Sequence, residues 1–272
     1  MKLPKRKVTV LLPAMFLCAA IFVALGWDYD LKTVTYTLET PALSAPIRIA
    51  VLSDLHSCDY GENQQELLDA VAAAAPDIVA LPGDILDDVL PTERGEQALR
   101  ALAGSYPCYY VSGNHDGFLT DRVAAAGVTV LQGESREVTV DGQPLLICGV
   151  EDSRYTPNFD EQLKSLAADS AATDAFSLLL AHRPARIGQY LPGNYDLILC
   201  GHAHGGQWRI PGLLNGLLAP DEGLFPKYAG GAYVFGSTTM IVSRGLAKES
   251  TRVPRLYNPP ELVLVDLIPV SP

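Results

Sequence analysis

No block of lysine or arginine occurs after the first few residues, and this absence rules out one class of partner. The chain carries 20 Lys and Arg against 31 Asp and Glu, a net charge of −11 over 272 residues. Setting aside Lys2, Lys5, Arg6 and Lys7 takes the remainder to −15, too little positive surface to neutralise a phosphate backbone, so nucleic acid is not an expected partner. Cysteine is scarce as well. Of the five, Cys108, Cys148 and Cys200 sit in strand-like apolar runs where a thiol packs as a small hydrophobe, and few or no disulfides are expected. Internal repeats and low-complexity tracts beyond two alanine-rich stretches are missing, and with 48% hydrophobic residues the chain has ample material for one large core. Histidine is also sparse, with five in the whole chain.

What is present begins with the four leader cations followed by Val8–Trp27, a charge-free apolar run of roughly the length that crosses a bilayer as a helix. Basic residues ahead of it predict a cytoplasmic N-terminus and a body on the other side. Residues 1–27 are therefore expected to be a membrane anchor or signal sequence. Ala24-Leu25-Gly26 keeps cleavage open, and the expected location is the cell membrane, single-pass, with an extracytoplasmic body.

Residues 28–46 alternate polar and apolar and then loosen at Pro41 and Pro46, which reads as an opening strand and a linker. A domain over 47–272 follows, in which short apolar runs alternate with glycine-containing turns and helical stretches. Strands are expected at Ile47–Ser53, Ile78–Leu81, Cys108–Val111, Phe176–Ala181 and Leu197–Cys200, a hairpin at Asp141-Gly142, and helices after an Asn63/Glu66 cap and over Thr92–Ala103. The expected fold class is α/β, with two mixed sheets packed face to face and helices outside.

Each confident core strand ends in a side chain able to bind metal: Asp54 and His56, Asp84, Asn114, His182, then His202 and His204. All five histidines lie in such turns, and ligand sites in α/β sheets gather beyond the carboxyl ends of strands. In an extended segment, side chains two apart point the same way, so His202 and His204 are able to aim at one point. Mixed carboxylate, amide and imidazole donors suit Mn²⁺, Fe or Zn²⁺ and argue against a closed structural zinc site. Seven donors exceed one tetrahedral ion, and a central Asp is able to bridge two ions about 3.5–4 Å apart.

The ordered series Asp54-x-His56, Gly83-Asp84, Gly113-Asn114-His115-Asp116, His182 and Gly201-His202-x-His204 resembles the motif set of the calcineurin-like metallophosphoesterases over about Ile47–Leu267. Gly205-Gly206-Gln207, Pro226-Lys227-Tyr228 and Asn258-Pro259-Pro260-Glu261 resemble the bacterial membrane-anchored branch, with departures at Ala203 and Gly245-Leu246-Ala247. The resemblance implies a four-layer α-β-β-α sandwich and two divalent ions, Mn²⁺ above Fe or Zn²⁺. It implies that Asp54, His56, Asp84 and His204 hold one ion and Asp84, Asn114, His182 and His202 the other, so that His202 and His204 serve different ions. It makes His115 the proton or hydrogen-bond donor, with Asp116 orienting it.

Arg183, beside His182, reads either as a phosphate clamp or as a surface ion pair. Gln207 and Trp208 are candidates to line the site, and Lys227 and Tyr228 fall in the loop 211–231, expected as a lid or substrate wall. The expected activity is hydrolysis of a phosphomonoester, phosphodiester or diphosphate, with a phospholipid or lipid-linked substrate suggested by the anchor and a monomeric state expected. Two alternatives stay open: a metal-dependent binding or sensor protein without turnover, and a lactamase-like binuclear hydrolase.

Overall fold

The computed structural model describes residues 5–248 and 253–270, without the side chains of residues 5–12, 14 and 19. The chain opens with helix α1 (Lys5–Gly26) and strand β1 (Lys32–Thr40), then β2 (Ile47–Val51), α2 (Gln65–Ala74), β3 (Ile78–Pro82), α3 (Glu93–Ala103) and β4 (Cys108–Val111). A short helix α4 (Thr120–Ala125) and β5 (Thr129–Val130) lead to the hairpin β6 (Glu134–Val140) and β7 (Gln143–Gly149), then α5 (Phe159–Ala171), β8 (Phe176–Leu180), a turn of helix α6 (Ile187–Tyr190) and β9 (Leu197–Cys200). A small hairpin β10 (Leu218–Ala219) and β11 (Gly223–Leu224) precedes β12 (Gly231–Phe235), β13 (Thr238–Val242) and β14 (Glu261–Pro269).

Two six-stranded mixed sheets result, ordered β1-β14-β2-β3-β4-β5 and β12-β13-β9-β8-β7-β6. Their central strands are parallel and have both faces covered, which is why they read as unbroken apolar runs. The period of two divides each run between layers. Ile49, Val51, Ile78 and Ala80 pack between the sheets against Leu178, Leu180, Leu197 and Leu199. Their neighbours Ala50, Val79 and Leu81 pack outward under Leu67 and Val71 of α2 and Leu99 and Leu102 of α3, while Leu179 and Ile198 pack outward under Phe159, Leu163 and Leu166 of α5. The four layers follow from those two outer clusters and the inter-sheet core.

The β6–β7 turn has Asp141 at φ 47° and Gly142 at φ 80°, the left-handed pair that a two-residue hairpin requires. The helix start near Asn63 differs from expectation: no side chain caps α2, and Asn63 itself takes φ 56° and accepts from Gln97 Nε2 at 2.7 Å. Among the described residues no disulfide forms, and four of the five cysteines are buried. The apolar run expected to span a membrane folds as α1, with Phe16 and Leu25 79% and 71% exposed. Among the described residues no helix is long and apolar enough to cross a membrane; the side chains of 5–12 lie outside them, as does the start of the leader. The end of α1 is tied to the body, with Tyr257 N–H donating to Gly26 O at 2.7 Å and its hydroxyl to Phe22 O at 2.8 Å.

Candidate metal centre

Beyond the carboxyl ends of β2, β3, β4, β8 and β9, the loops bring Asp54, His56, Asp84, Asn114, His182, His202 and His204 together. All seven are buried. Close approach of backbone makes this possible: a Cβ at Gly201 would collide with Ser53 Oγ, and one at Gly113 with the Asp84 carboxylate. Five of the seven take left-handed backbone: Asp54 at φ 52°, His56 at 48°, Asp84 at 54°, His202 at 68° and His204 at 46°. Side chains with a Cβ hold such angles only under surrounding constraint.

The donors fall into two groups that meet at Asp84. Asp54, His56 and His204 form one, with His204 Nε2 3.8 Å from Asp54 Oδ1 and the His56 and His204 rings stacked at 5.2 Å. Asp84, His182 and His202 form the other; His182 Nε2 lies 3.1 Å from Asp84 Oδ2 and 3.2 Å from both Asn114 Oδ1 and His202 Nδ1. Asp84 Oδ2 is also 3.7 Å from His56 Nε2.

The outer nitrogens say which ring atoms face inward. His56 Nδ1 bonds Asp87 at 2.9 Å, His182 Nδ1 bonds Pro82 O at 2.8 Å, and His202 Nε2 bonds Asp221 at 3.0 Å. Each partner is an acceptor, so each outer nitrogen carries the proton and the inner one presents a lone pair, the usual arrangement behind a metal ligand. His56 Nε2 and Asp84 Oδ2 are consequently both buried without a hydrogen-bond partner. Two electron-pair donors facing one another in a dry site are reconciled by a cation, and the residues fit one on each side of Asp84. In the metal-free chain a proton on His182 Nε2, 3.1 Å from Asp84 Oδ2, balances the carboxylate instead. Burial works against a charged His182, yet Asp84 outweighs it and raises the ring to about 10. Burial likewise opposes ionisation of Asp84, and His182 overrides it to hold the carboxyl far below its usual range. Burial and His56 together push His204 well down, so that ring stays neutral.

His115 lies at the rim, its side chain 37% exposed and its ring 4.9 Å from His56. Asp116 does not orient it, which corrects the sequence expectation. Asp116 is fully buried and accepts from the backbone N–H groups of Gly113, Ile85 and Leu86, tying the β4 turn to the β3 turn. The partner of His115 Nδ1 is Asp88 at 2.8 Å. Adjacent residues on a turn point in different directions, so sequence neighbourhood misassigned the pair.

Arg183 resolves differently from either reading. It forks onto the buried Asp152 at 2.6 and 3.1 Å and also pairs with Asp221, with Nη1 3.4 Å from His202 Nε2. Gln207 is buried beside the centre, whereas Trp208 turns to Pro254 O and Tyr228 packs with Tyr233 and Phe235 in the outer core. Lys227 stacks over Tyr228. The expected lid contributes one contact to the centre that sequence reading missed, Asp221 on the β10–β11 turn. Asp87 and Asp88 were also missed, although Gly83-Asp84 four residues earlier was a signal. Asn258 donates to His204 O at 2.7 Å and to Gln207 O at 3.2 Å, holding the last ligand turn from behind.

Comparison with known proteins agrees with this geometry. Residues 47–206 match the family described as calcineurin-like phosphoesterase. Phosphodiesterase YaeI of Escherichia coli is 29% identical over 83% of this chain and 83% of its own, and the uncharacterized metallophosphoesterase YkuE of Bacillus subtilis is 30% identical over 81% and 78%. A 5'-nucleotidase precursor from Thermus thermophilus superposes with a TM-score of 0.52 at 14% identity, over 82% of this chain and 54% of that one, which shows a shared fold. The chain belongs to the calcineurin-like phosphoesterase family of metal-dependent hydrolases.

Proposed function

We propose that the protein hydrolyses a phosphoester, a diester or a diphosphate in preference to a carboxylic ester, at a centre where Asp54, His56, Asp84 and His204 hold one divalent ion and Asp84, Asn114, His182 and His202 the other. The carrying observation is the pair of buried, unpartnered donors His56 Nε2 and Asp84 Oδ2 at the meeting point of the two groups. When bound, two cations supply the charge that offsets phosphoryl oxygens and acidify a water for attack. The chain's own contribution is orientation. Asp87, Pro82 O and Asp221 fix the ring tautomers, and Asp84 Oδ1 accepts the His115 backbone N–H at 2.8 Å, anchoring the rim residue to the centre. Asp88 accepts from His115 Nδ1, which leaves Nε2 as the atom that, in the imidazolium form, is able to donate to a phosphoryl or leaving oxygen.

The name of YaeI supports a diester, and the donor types support Mn²⁺, with Fe or Zn²⁺ as the alternatives. We further propose that α1 holds the body at the membrane outside the cytoplasm, near lipid-linked substrates; the exposed apolar side chains along it support that reading. The test is turnover of bis(p-nitrophenyl) phosphate and p-nitrophenyl phosphate by chelator-stripped protein resupplied with Mn²⁺, beside an Asp84→Asn control. Metal uptake with no hydrolysis above the control would favour the binding-protein alternative, and indifference to vanadate the lactamase-like one.

A further inference from the structure

Beside the outer face of His202 opens a cavity of about 540 Å³ lined by Ser153, Arg154, Arg183, Ala185, Arg186 and Asp221. Three guanidinium groups on a chain of net charge −11 are an unusual concentration, and their pairing is uneven. Arg183 is compensated by Asp152 and Asp221. Arg154 lies over the Tyr155 ring at 5.9 Å, and Arg186 lies over Phe159 at 5.1 Å and donates to the neutral Gln189 at 2.9 Å. Among the described residues neither Arg154 nor Arg186 has a carboxylate partner. Asp221, from the β10–β11 turn, already places an anionic group at the inner wall, where it meets Arg183 and His202 together. The cavity therefore abuts the metal centre, has its inner arginine neutralised by the chain's own Asp152 and Asp221, and keeps two arginines without a carboxylate partner further out.

We propose that this cavity binds a second phosphate of the substrate, so that the preferred substrate is a phosphoester carrying another phosphate group and not a simple monoester. The inference rests on the phosphoesterase reading above. The metals take the phosphate that is cleaved; Arg154 and Arg186 take the one that is not, each through charge-assisted hydrogen bonds. Such contacts made alike in ground and transition state appear in KM more than in kcat.

The experiment uses the full chain loaded with Mn²⁺ and a matched pair of substrates, propyl phosphate and propane-1,3-diyl bisphosphate, with bis(p-nitrophenyl) phosphate as a separate measure of hydrolysis. The wild type should favour the bisphosphate by roughly ten-fold or more in kcat/KM, given the strength of hydrogen bonds to charged groups. In Arg154→Gln/Arg186→Gln that ratio should fall towards one, through a rise in KM for the bisphosphate. A wild type that hydrolyses the aryl diester but shows no preference between the alkyl pair overturns the second-phosphate site and leaves the phosphoesterase reading standing. A double variant whose kcat/KM falls alike on both alkyl substrates assigns the arginines a structural role and also overturns it. Absence of turnover on all three by the wild type refutes both.

Discussion

Replacing Asp87 by Asn should weaken one metal site and leave its neighbour intact. Asp87 Oδ1 accepts from the backbone N–H groups of Val89 and Leu90 at 2.7 and 2.8 Å, and Oδ2 accepts from His56 Nδ1 at 2.9 Å. An amide has one oxygen, and the two backbone donors claim it. The Asn nitrogen then faces His56 Nδ1 and donates to it, which moves the ring proton to Nε2, the atom 3.7 Å from Asp84 Oδ2. The ligand lone pair is lost without any loss of volume. Removing an outer partner of a metal-bound histidine costs about 10–100-fold in affinity, or roughly 1.4–2.7 kcal/mol, and tautomer inversion places this variant at the upper end. Competition between chelator-stripped protein and a chromophoric chelator, titrated with Mn²⁺ and with Zn²⁺, gives both affinities. Asp87→Ala should be the milder change, because a water is able to accept from Nδ1 in its place. Undiminished affinity in Asp87→Asn, or equal weakening of both sites, would refute the reasoning.

Further outcomes follow from other parts of the centre and core. His115→Ala should keep metal uptake at wild-type stoichiometry and lose about 10²–10⁴-fold in kcat on the aryl diester; equal loss of metal would show that the ring is a ligand. Leu199→Ala, in the inter-sheet core, should cost about 2–5 kcal/mol in denaturant unfolding. The metal-free protein should depend on pH through His182. Its folded pKa is raised from 6.5 to about 10, so its stabilisation is full below pH 6.5 and fades as pH rises towards 10, read as a falling Tm between those limits. A Tm that climbs over that range would contradict the assignment. Anomalous scattering from metal-loaded crystals should place His202 and His204 on different ions.

The strands were legible because the two-sided burial of β3, β8 and β9 demands unbroken apolar runs, and the ligands because short polar residues interrupt those runs at fixed ends. The β6–β7 hairpin was legible through the backbone demand met by Asp141-Gly142. What escaped depended on distance or direction. Asp221 reaches His202 across a loop with no local pattern to announce it, and Asp116 points away from the histidine it follows. The parallel pairing of β1 with β14 joins residues more than 200 positions apart, such as Lys32 and Glu261, and nothing local in either strand encodes that partner.

The left-handed backbone at Asp54, His56, Asp84, His202 and His204 has an evolutionary corollary. Each such residue carries a conformational penalty of roughly 1–3 kcal/mol that glycine would not. Selection for thermal robustness alone would therefore drift towards glycine at these very positions, and the chemistry would disappear before the fold did. Carboxylate or imidazole at all five positions trades stability for reactivity, so a more durable version of this chain has to gain its resilience elsewhere, in the sandwich beneath the loops.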